Sequence, residues 1–455
     1  MTMIYDLAII GGGPGGYVAA ERAAKGGFSV VLFERRELGG VCLNEGCIPT
    51  KTLLYSAKLY DYARHSEKYG VSVEGATLDY GALLKRKEKV VKKLVGGVKV
   101  RMRSAAVEVV KADCRITGRT DEGFLLNAGE TDYAAARLLI CTGSESAVPP
   151  IPGLAEAGGV VVTNRELLSL PEVPRRLVVI GGGVIGMEFA SLFNSIGSEV
   201  TVIEMLPKIL GPMDDEISAL LLSQYAKKGV TFHLGCKVVS VEGNDVVFQT
   251  PEGETCRAAG DRILLSVGRR ANIRGFGLET LGVETGRGIV VNERMETSVP
   301  RVWAAGDVTA FSMLAHTASR EAEVAVDNML GRNARMSYKA IPGVVYTNPE
   351  VAGVGLTEQE AAAQGLPFTV TRLPMAYSGR FVAENERGEG LCKILVAPDG
   401  AVLGVHMLGN PCSEIIQSGC IAIEKGLTVR ELLEVVFPHP TVSEILKETL
   451  LAAGE

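Results

Sequence analysis

The chain of 455 residues is 47% hydrophobic with a formal net charge of -6, enough apolar material for a large core divided among about three or four domains. These values exclude a disordered chain. Lys and Arg interspersed with Asp and Glu leave no electrostatic footprint for nucleic acid or a membrane surface. Nine cysteines, an odd number and mostly scattered, exclude a secreted disulfide framework and fit a reducing, cytoplasmic setting.

The chain opens MTMIYDLAIIGGG, with no basic stretch ahead of its first apolar strand, so no signal peptide is expected. A repeated unit starts at Asp6 with DLAIIGGGPGGYVAAERAAKGGFSVVLFER. Gly11, Gly13 and Gly16 make G-x-G-x-x-G directly after a four-residue apolar strand; a helix of small residues follows, then strand 30–33, which ends in Glu34. The first glycine allows a tight turn, the second a close approach of backbone to a pyrophosphate, and the third close packing of helix on strand. Free N–H groups at the helix start meet the phosphate charge, and the carboxylate receives ribose hydroxyls.

Next comes GGVCLNEGCIPTKTLL, residues 39–54, with Cys42 and Cys47 five apart. A zinc site needs about four ligands, and no second close cysteine pair or nearby histidine accompanies these two, so no metal is expected. A structural disulfide across so short a loop would add little stability. On a regular helix the two side chains would stand roughly 140° apart, so a bridge requires a distorted turn. Gly46 can adopt unusual backbone angles and Pro49 biases Ile48 away from helical geometry. A helix over residues 50–57 would point its positive end at the thiols and favour thiolate, so the pair is expected to open and close.

Further along, the proline-rich VPPIPG at 148–153 reads as a linker. The unit then recurs without a gap as RLVVIGGGVIGMEFASLFNSIGSEVTVIEM from Arg176, with Gly181, Gly183, Gly186 and a terminal Glu204; the glycine-to-acid spacing is 23 in both copies. The apolar run 177–196 approaches the length of a membrane span, but its glycine cluster and Glu188 predict a buried strand, turn and helix instead. A carboxylate at the strand end repels a 2′-phosphate, and Met205, Leu206 and Pro207 follow Glu204 where an arginine would be needed, so NAD is expected over NADP. The plain alternative for Glu204 is a solvated strand-end acid. Two dinucleotide sites in one chain imply electrons passing between two cofactors, with the flavin at the site nearer the cysteines. Pro342-Gly343 marks a second boundary.

With the doubled nucleotide unit and GGVCLNEGCIPTKTLL in place, the chain resembles the flavin-dependent pyridine-nucleotide disulfide oxidoreductases almost end to end, and within them the branch that oxidises dihydrolipoyl groups. The resemblance extends to CTGSE at 141–145, SVGRRAN at 266–272, VWAAGD at 302–307, MLAHTASREA at 313–322, VVYTNPEVAGVG at 344–355 and HPTVSE at 439–444. It implies an α/β protein: two Rossmann-like dinucleotide-binding domains and a C-terminal α+β interface domain that forms a homodimer. The order implied is an FAD domain at 1–147, an NAD domain at 148–270, a central domain at 271–340 that completes the FAD site, and the interface domain at 341–455.

The resemblance also implies roles. Asp307 matches the aspartate that binds the ribityl chain of FAD, close to Ala315. Lys51 matches the lysine beside the reactive edge of the isoalloxazine, and Glu188 its acidic partner near the nicotinamide. Pro14, Gly15, Ala112, Gly143, Val238 and Gly268 complete the implied cofactor contacts. His439, which by itself between two prolines reads as a turn residue as readily as a catalyst, becomes the general base, with Glu444 orienting its ring. Cys42 would be attacked by the substrate thiol, and Cys47 released as the thiolate that passes two electrons through FAD to NAD.

One departure stands beside the match. Phe437 and Pro438 precede His439 where many lipoamide enzymes carry a second histidine, a difference that bears on the substrate channel. His65, His233 and His406 are expected to be structural or surface residues and His316 to pack near the flavin. The implied partner is a lipoyl-bearing protein of a 2-oxoacid dehydrogenase or glycine cleavage complex. Competing readings are another NAD(P)H-dependent disulfide reductase, such as a glutathione reductase, against which Glu204 argues, and a flavin-binding scaffold without turnover.

Overall fold

The computed structural model describes residues 4–385 and 388–454. They form two compact units, each contributed by separated stretches of chain. The first comprises Met1–Thr52, Gly81–Ala147 and Gly268–Ser337; the second comprises Leu53–Tyr80, Val148–Val267 and Tyr338–Glu455.

In the first unit a five-stranded parallel sheet runs in the order Val302–Ala304, Leu138–Ile140, Leu7–Ile10, Val30–Phe33, Glu108–Val110. Its central strands LAII and VVLF are buried at every position, as expected of short apolar runs covered on both faces. Each such Leu, Ile or Phe contributes roughly 1.5–3 kcal/mol by leaving water. The helix Pro14–Lys25 starts on proline, whose missing N–H has no partner to lose there, and buries the small residues Ala19, Ala20 and Ala23. A four-stranded sheet, Ile4–Tyr5, Thr131–Ala135, Phe124–Ala128 and Cys114–Arg119, supplies Phe124 and Leu126 to the same core. The long helix Tyr80–Ser104 buries a stripe of Leu83, Lys87, Val95, Val98 and Met102.

The second unit repeats the plan. Its parallel sheet runs Val161–Val162, Arg262–Leu265, Arg176–Ile180, Glu199–Ile203, Thr231–His233. In both sheets the strand order reverses beside the strand that carries the glycine turn, the crevice where open α/β sheets bind ligands. The unit also holds a five-stranded antiparallel sheet, ordered Gly343–Val345, Val351–Gly355, Val402–Leu408, Leu391–Val396, Thr369–Pro374. The helices Cys412–Lys425 and Glu444–Gly454 share a core with this sheet through Ile415, Ile416, Ile445 and Leu446. Gly343 opens its first strand and pairs with Gly353, so the expected turn at Pro342-Gly343 is a strand start.

One local expectation changes. The cysteine segment forms two helices, Gly40–Glu45 and Cys47–Arg64, where one over residues 50–57 was expected. Gly46, at φ -142° and ψ -109°, breaks them apart, and Pro49 falls in the first turn of the second, where proline loses no hydrogen bond; Ile48 is helical after all. On the helix Ala315–Met329 the buried face is taken by Thr317, Ala318, Glu321, Ala322 and Ala325. His65 is exposed, the His233 ring lies tilted at 45° against Phe248 with centroids 4.7 Å apart, and His406 is 3% exposed.

Candidate active site

The two glycine turns superpose in their chemistry. Gly11 and Gly181 have φ of 108° and 102°, the left-handed region that only glycine enters without strain, and their N–H groups bond Phe33 and Ile203 at 2.8 and 2.9 Å. A methyl group on Gly16 would stand 1.8 Å from the Gly11 carbonyl oxygen, and one on Gly186 would stand 2.0 Å from that of Gly181. Gly13 and Gly183 cap their helices in extended geometry without a side-chain bond, leaving the first-turn N–H groups to a ligand. Pro14 is the first helical residue, and Gly15 faces the Cys141 sulfur, which a methyl group there would meet at 3.4 Å.

Both terminal carboxylates fold back onto their own turn. Glu34 accepts Gly12 N–H at 2.8 Å and Arg36 N–H at 2.7 Å; Glu204 accepts Gly182 N–H at 2.6 Å and Leu206 N–H at 2.8 Å. Each oxygen is thus aimed by one backbone donor and keeps a lone pair for a hydroxyl. These cradles, bare of Cβ atoms and lined by free donors, fit the pyrophosphate and ribose of a dinucleotide in each unit. Ala112 lies two residues past Val110, whose carbonyl receives the Glu34 N–H at 3.0 Å, and Val238 two past Cys236, whose N–H reaches the Glu204 carbonyl at 2.9 Å.

In the first unit the cysteine segment is fastened to the glycine turn: Gly39 donates its N–H to the Gly12 carbonyl at 2.8 Å. Gly40 lies so close that a methyl group there would meet the Gly13 Cα at 2.7 Å. Cys42 and Cys47 are half-buried thiols, hydrogen-bonded to each other. That bond, and then burial, push the Cys42 thiol well above its ordinary value, while the Lys51 ammonium pulls in the opposite direction. Cys47 is the first residue of its helix, where the positive end favours a thiolate. The two sulfurs are therefore unequal. Tyr17, its phenol raised by burial and then by Cys42, lies near the pair.

Asp307 follows Gly306, whose φ of 85° makes the turn. Ser144 donates its hydroxyl to Asp307, Arg269 donates to Ser144 at 2.7 Å, and the buried Glu321 accepts the Gly306 N–H at 2.6 Å. Arg269, Ser144 and Glu321 are supports that sequence reading missed, because they meet across separations of 15 to 163 residues. A carboxyl on the apolar face of a helix was the one available signal, at Glu321. Ala315 begins that helix; Gly143, at φ 69°, accepts the Asn272 N–H at 2.9 Å, and Gly268, at φ 114°, accepts that of Ala147 at 3.0 Å.

In the second unit Glu188 is buried and accepts the Tyr346 N–H at 3.1 Å. His439 and Glu444 form a pair, Nδ1 to Oε1 at 2.9 Å, while the other Glu444 oxygen accepts the Thr441 N–H at 2.9 Å. The Thr441 N–H and then His439 hold the Glu444 carboxyl below the usual carboxylate range. The His439 side chain is 79% exposed. Phe437 packs against the antiparallel-sheet core, so its position offers a filler where a second histidine would offer a donor. The cysteine pair belongs to the first unit and this couple to the second.

Two family models match: that for pyridine nucleotide-disulphide oxidoreductases over residues 5–322, and that for their dimerisation domain over 341–450. A dihydrolipoyl dehydrogenase of Mycoplasma pneumoniae is 41% identical over 98% of both chains, and one of Bacillus subtilis is 37% identical over 100% of this chain and 98% of its own. Among solved structures, the HOCl-induced flavoprotein disulfide reductase RclA of Escherichia coli superposes with a TM-score of 0.86 at 28% identity, covering 98% of this chain and 99% of RclA. LpdA of Mycobacterium tuberculosis gives 0.89 at 25%, covering 98% and 99%. The chain belongs to the pyridine nucleotide-disulphide oxidoreductase family.

Proposed function

We infer that the chain is an NAD-dependent flavoprotein disulfide oxidoreductase that oxidises dihydrolipoyl groups. The observation that carries this reading is the tie between Gly39 and Gly12, which fastens the cysteine pair to the first dinucleotide turn. Relatives named dihydrolipoyl dehydrogenase over the full length supply the substrate.

The first turn, with Gly11, Gly13, Pro14, Gly15, Gly16, Glu34, Ala112, Gly143, Asp307 and Ala315, would hold FAD; the second, with Gly181, Gly183, Gly186, Glu188, Glu204 and Val238, would hold NAD. Lys51 stands by the cysteines. FAD supplies the two-electron chemistry that reoxidises the cysteine pair, with NAD as final acceptor. The residues do the rest. His439 takes a proton from a substrate thiol, and Glu444 steadies the resulting imidazolium. The thiolate attacks Cys42 of the oxidised pair; the Cys42–Cys47 bond breaks and Cys47 leaves as thiolate. The second substrate thiol then releases its proton to solvent, and its sulfur displaces Cys42, closing the substrate disulfide. Cys42 takes the proton back, in keeping with its raised affinity for one.

The FAD, NAD, central and interface domains occupy 1–147, 148–270, 271–340 and 341–455. A dimer presents each His439 to the partner's cysteines, which suits a base that is 79% exposed within its own chain. The substrate arrives on a lipoyl-bearing protein of a 2-oxoacid dehydrogenase or glycine cleavage complex in the cytoplasm; no helix among the described residues is long and apolar enough to cross a membrane. Anaerobic titration with dihydrolipoamide is expected to produce a long-wavelength thiolate-to-flavin band, and Cys47→Ser to abolish lipoamide turnover. An active Cys47→Ser protein overturns the relay; a yellow but inactive wild type points to a scaffold.

A further inference from the structure

The near-neutral charge of the whole chain conceals a local excess. The helix Tyr80–Ser104 carries nine Lys or Arg residues and a single acid, Glu88, within a chain of net -6. Lys85, Lys89, Lys92, Lys93 and Arg103 are exposed. At about 100° per residue these five fall within an arc of roughly 100°, opposite the buried stripe of Leu83, Val95, Val98 and Met102. None of the five makes an ion pair with another described residue. The remaining cations of the helix are tied inward. Arg86 donates to the Thr52 carbonyl at 3.0 Å, Lys99 pairs with Glu37 at 3.1 Å, and Arg101 pairs with Glu21.

Those inward ties define where the basic face lies. Glu37 and Thr52 bracket the stretch that holds both cysteines, so the helix is strapped along that stretch at two places. A charged surface beside a reaction centre raises the encounter rate of an oppositely charged partner and falls in strength with salt. The buried stripe of the helix is consumed by the core and leaves Leu94 and Val100 as its exposed large apolar side chains, too little for insertion into a lipid surface.

We propose that the exposed basic face of the helix Tyr80–Ser104 is the docking surface for an acidic protein domain that carries the dithiol substrate to Cys42. This rests on the reaction assigned above and adds to it the chemistry of the carrier. The contact is an exposed, screened one, so it governs encounter with the carrier and leaves the sulfur chemistry untouched.

The test uses the full-length flavoprotein and a variant combining Lys85→Glu, Lys89→Glu, Lys92→Glu and Lys93→Glu. Two substrates are compared: free dihydrolipoamide, and a dihydrolipoylated carrier domain of net negative charge. The variant is expected to lose about tenfold in kcat/KM for the acidic carrier with no change for free dihydrolipoamide. With wild type, kcat/KM for the carrier is expected to fall steeply between about 20 and about 200 mM salt, and that for the free substrate to stay level. A carrier rate indifferent to both salt and charge reversal overturns the proposal, and the wild-type salt series decides the matter if the variant does not fold. Anisotropy of the labelled, oxidised carrier reads docking without turnover. A wild type that binds the carrier but leaves free dihydrolipoamide unoxidised overturns the assigned reaction and keeps the surface. Binding of single-stranded DNA or phosphatidylserine vesicles by this face, with none of the carrier, overturns it in favour of those partners.

Discussion

At the scale of single residues, the chemistry is an asymmetry between neighbours. Cys42 holds its proton because it leans on Cys47, and Cys47 occupies the end of a helix that favours negative charge. His439 is aimed by a carboxylate that is itself aimed by the Thr441 N–H. Replacing His439 by Gln is expected to cut kcat for dihydrolipoamide about 10²- to 10⁴-fold while the flavin spectrum stays, a loss that steady-state kinetics would measure. Because the Glu444 value is depressed in the folded chain, its contribution is present above the ordinary carboxylate range and disappears as pH falls through the depressed value. The acid limb of a stability profile should therefore flatten in Glu444→Gln. The glycines, cysteines and strand-end glutamates were legible in the sequence because each works through its immediate neighbours. Arg269, Ser144 and Glu321 around Asp307 were not, since their partnership exists only once distant strands have met.

At the scale of elements, the two strand-turn-helix units are separate devices built to one plan, and mutation should separate them. A methyl group at Gly16 or Gly186 would sit within about 2 Å of a backbone oxygen, a clash that only backbone movement relieves. Gly186→Ala is expected to abolish reduction by NADH while leaving FAD content near stoichiometric; Gly16→Ala is expected to yield protein without flavin. Absorbance at purification, followed by NADH oxidation kinetics, distinguishes the two. Elements are also joined by a buried network in the second unit. Lys393, on the strand Leu391–Val396, has 0% side-chain exposure and bonds Asp214, the N-cap of the helix Asp215–Lys227, at 2.9 Å and Glu358 at 2.6 Å. Burial alone would raise the Asp214 carboxyl, yet the Lys393 ammonium leaves it below the usual range. Burial likewise works against the Lys393 charge, and the Glu358 and Asp214 carboxylates overcome it. Its stabilisation is thus present from about pH 4 to about pH 10 and is lost outward on both sides. Lys393→Met strands a buried carboxylate and should lower stability by roughly 3–5 kcal/mol in a denaturant titration. The pairing of Lys393 with Asp214 spans 179 residues and had no local sign. The helix boundary at Cys47 was misjudged for a related reason: Pro49 was weighed as a breaker, when its effect depends on whether it falls in a first turn.

At the scale of the whole molecule, the expectation is a dimer in which cysteines and histidine come from different chains. Mixed dimers of Cys47→Ser with His439→Gln then hold one dead site and one intact site. Refolding the two inactive parents together should restore about a quarter of wild-type turnover, given random pairing. A mixture as inactive as its parents would show that each chain uses its own histidine. What the sequence by itself determined was the doubled nucleotide unit, the choice of NAD, the pair of sulfurs and the family. Those features are written in contiguous residues whose spacing is imposed by backbone geometry. Tertiary structure alone decided which side chains brace Asp307, and that the basic residues of the helix Tyr80–Ser104 share one outward face strapped beside the cysteines. Each of these depends on distances between residues far apart in the chain, which are set when apolar faces are buried and hydrogen bonds close across them.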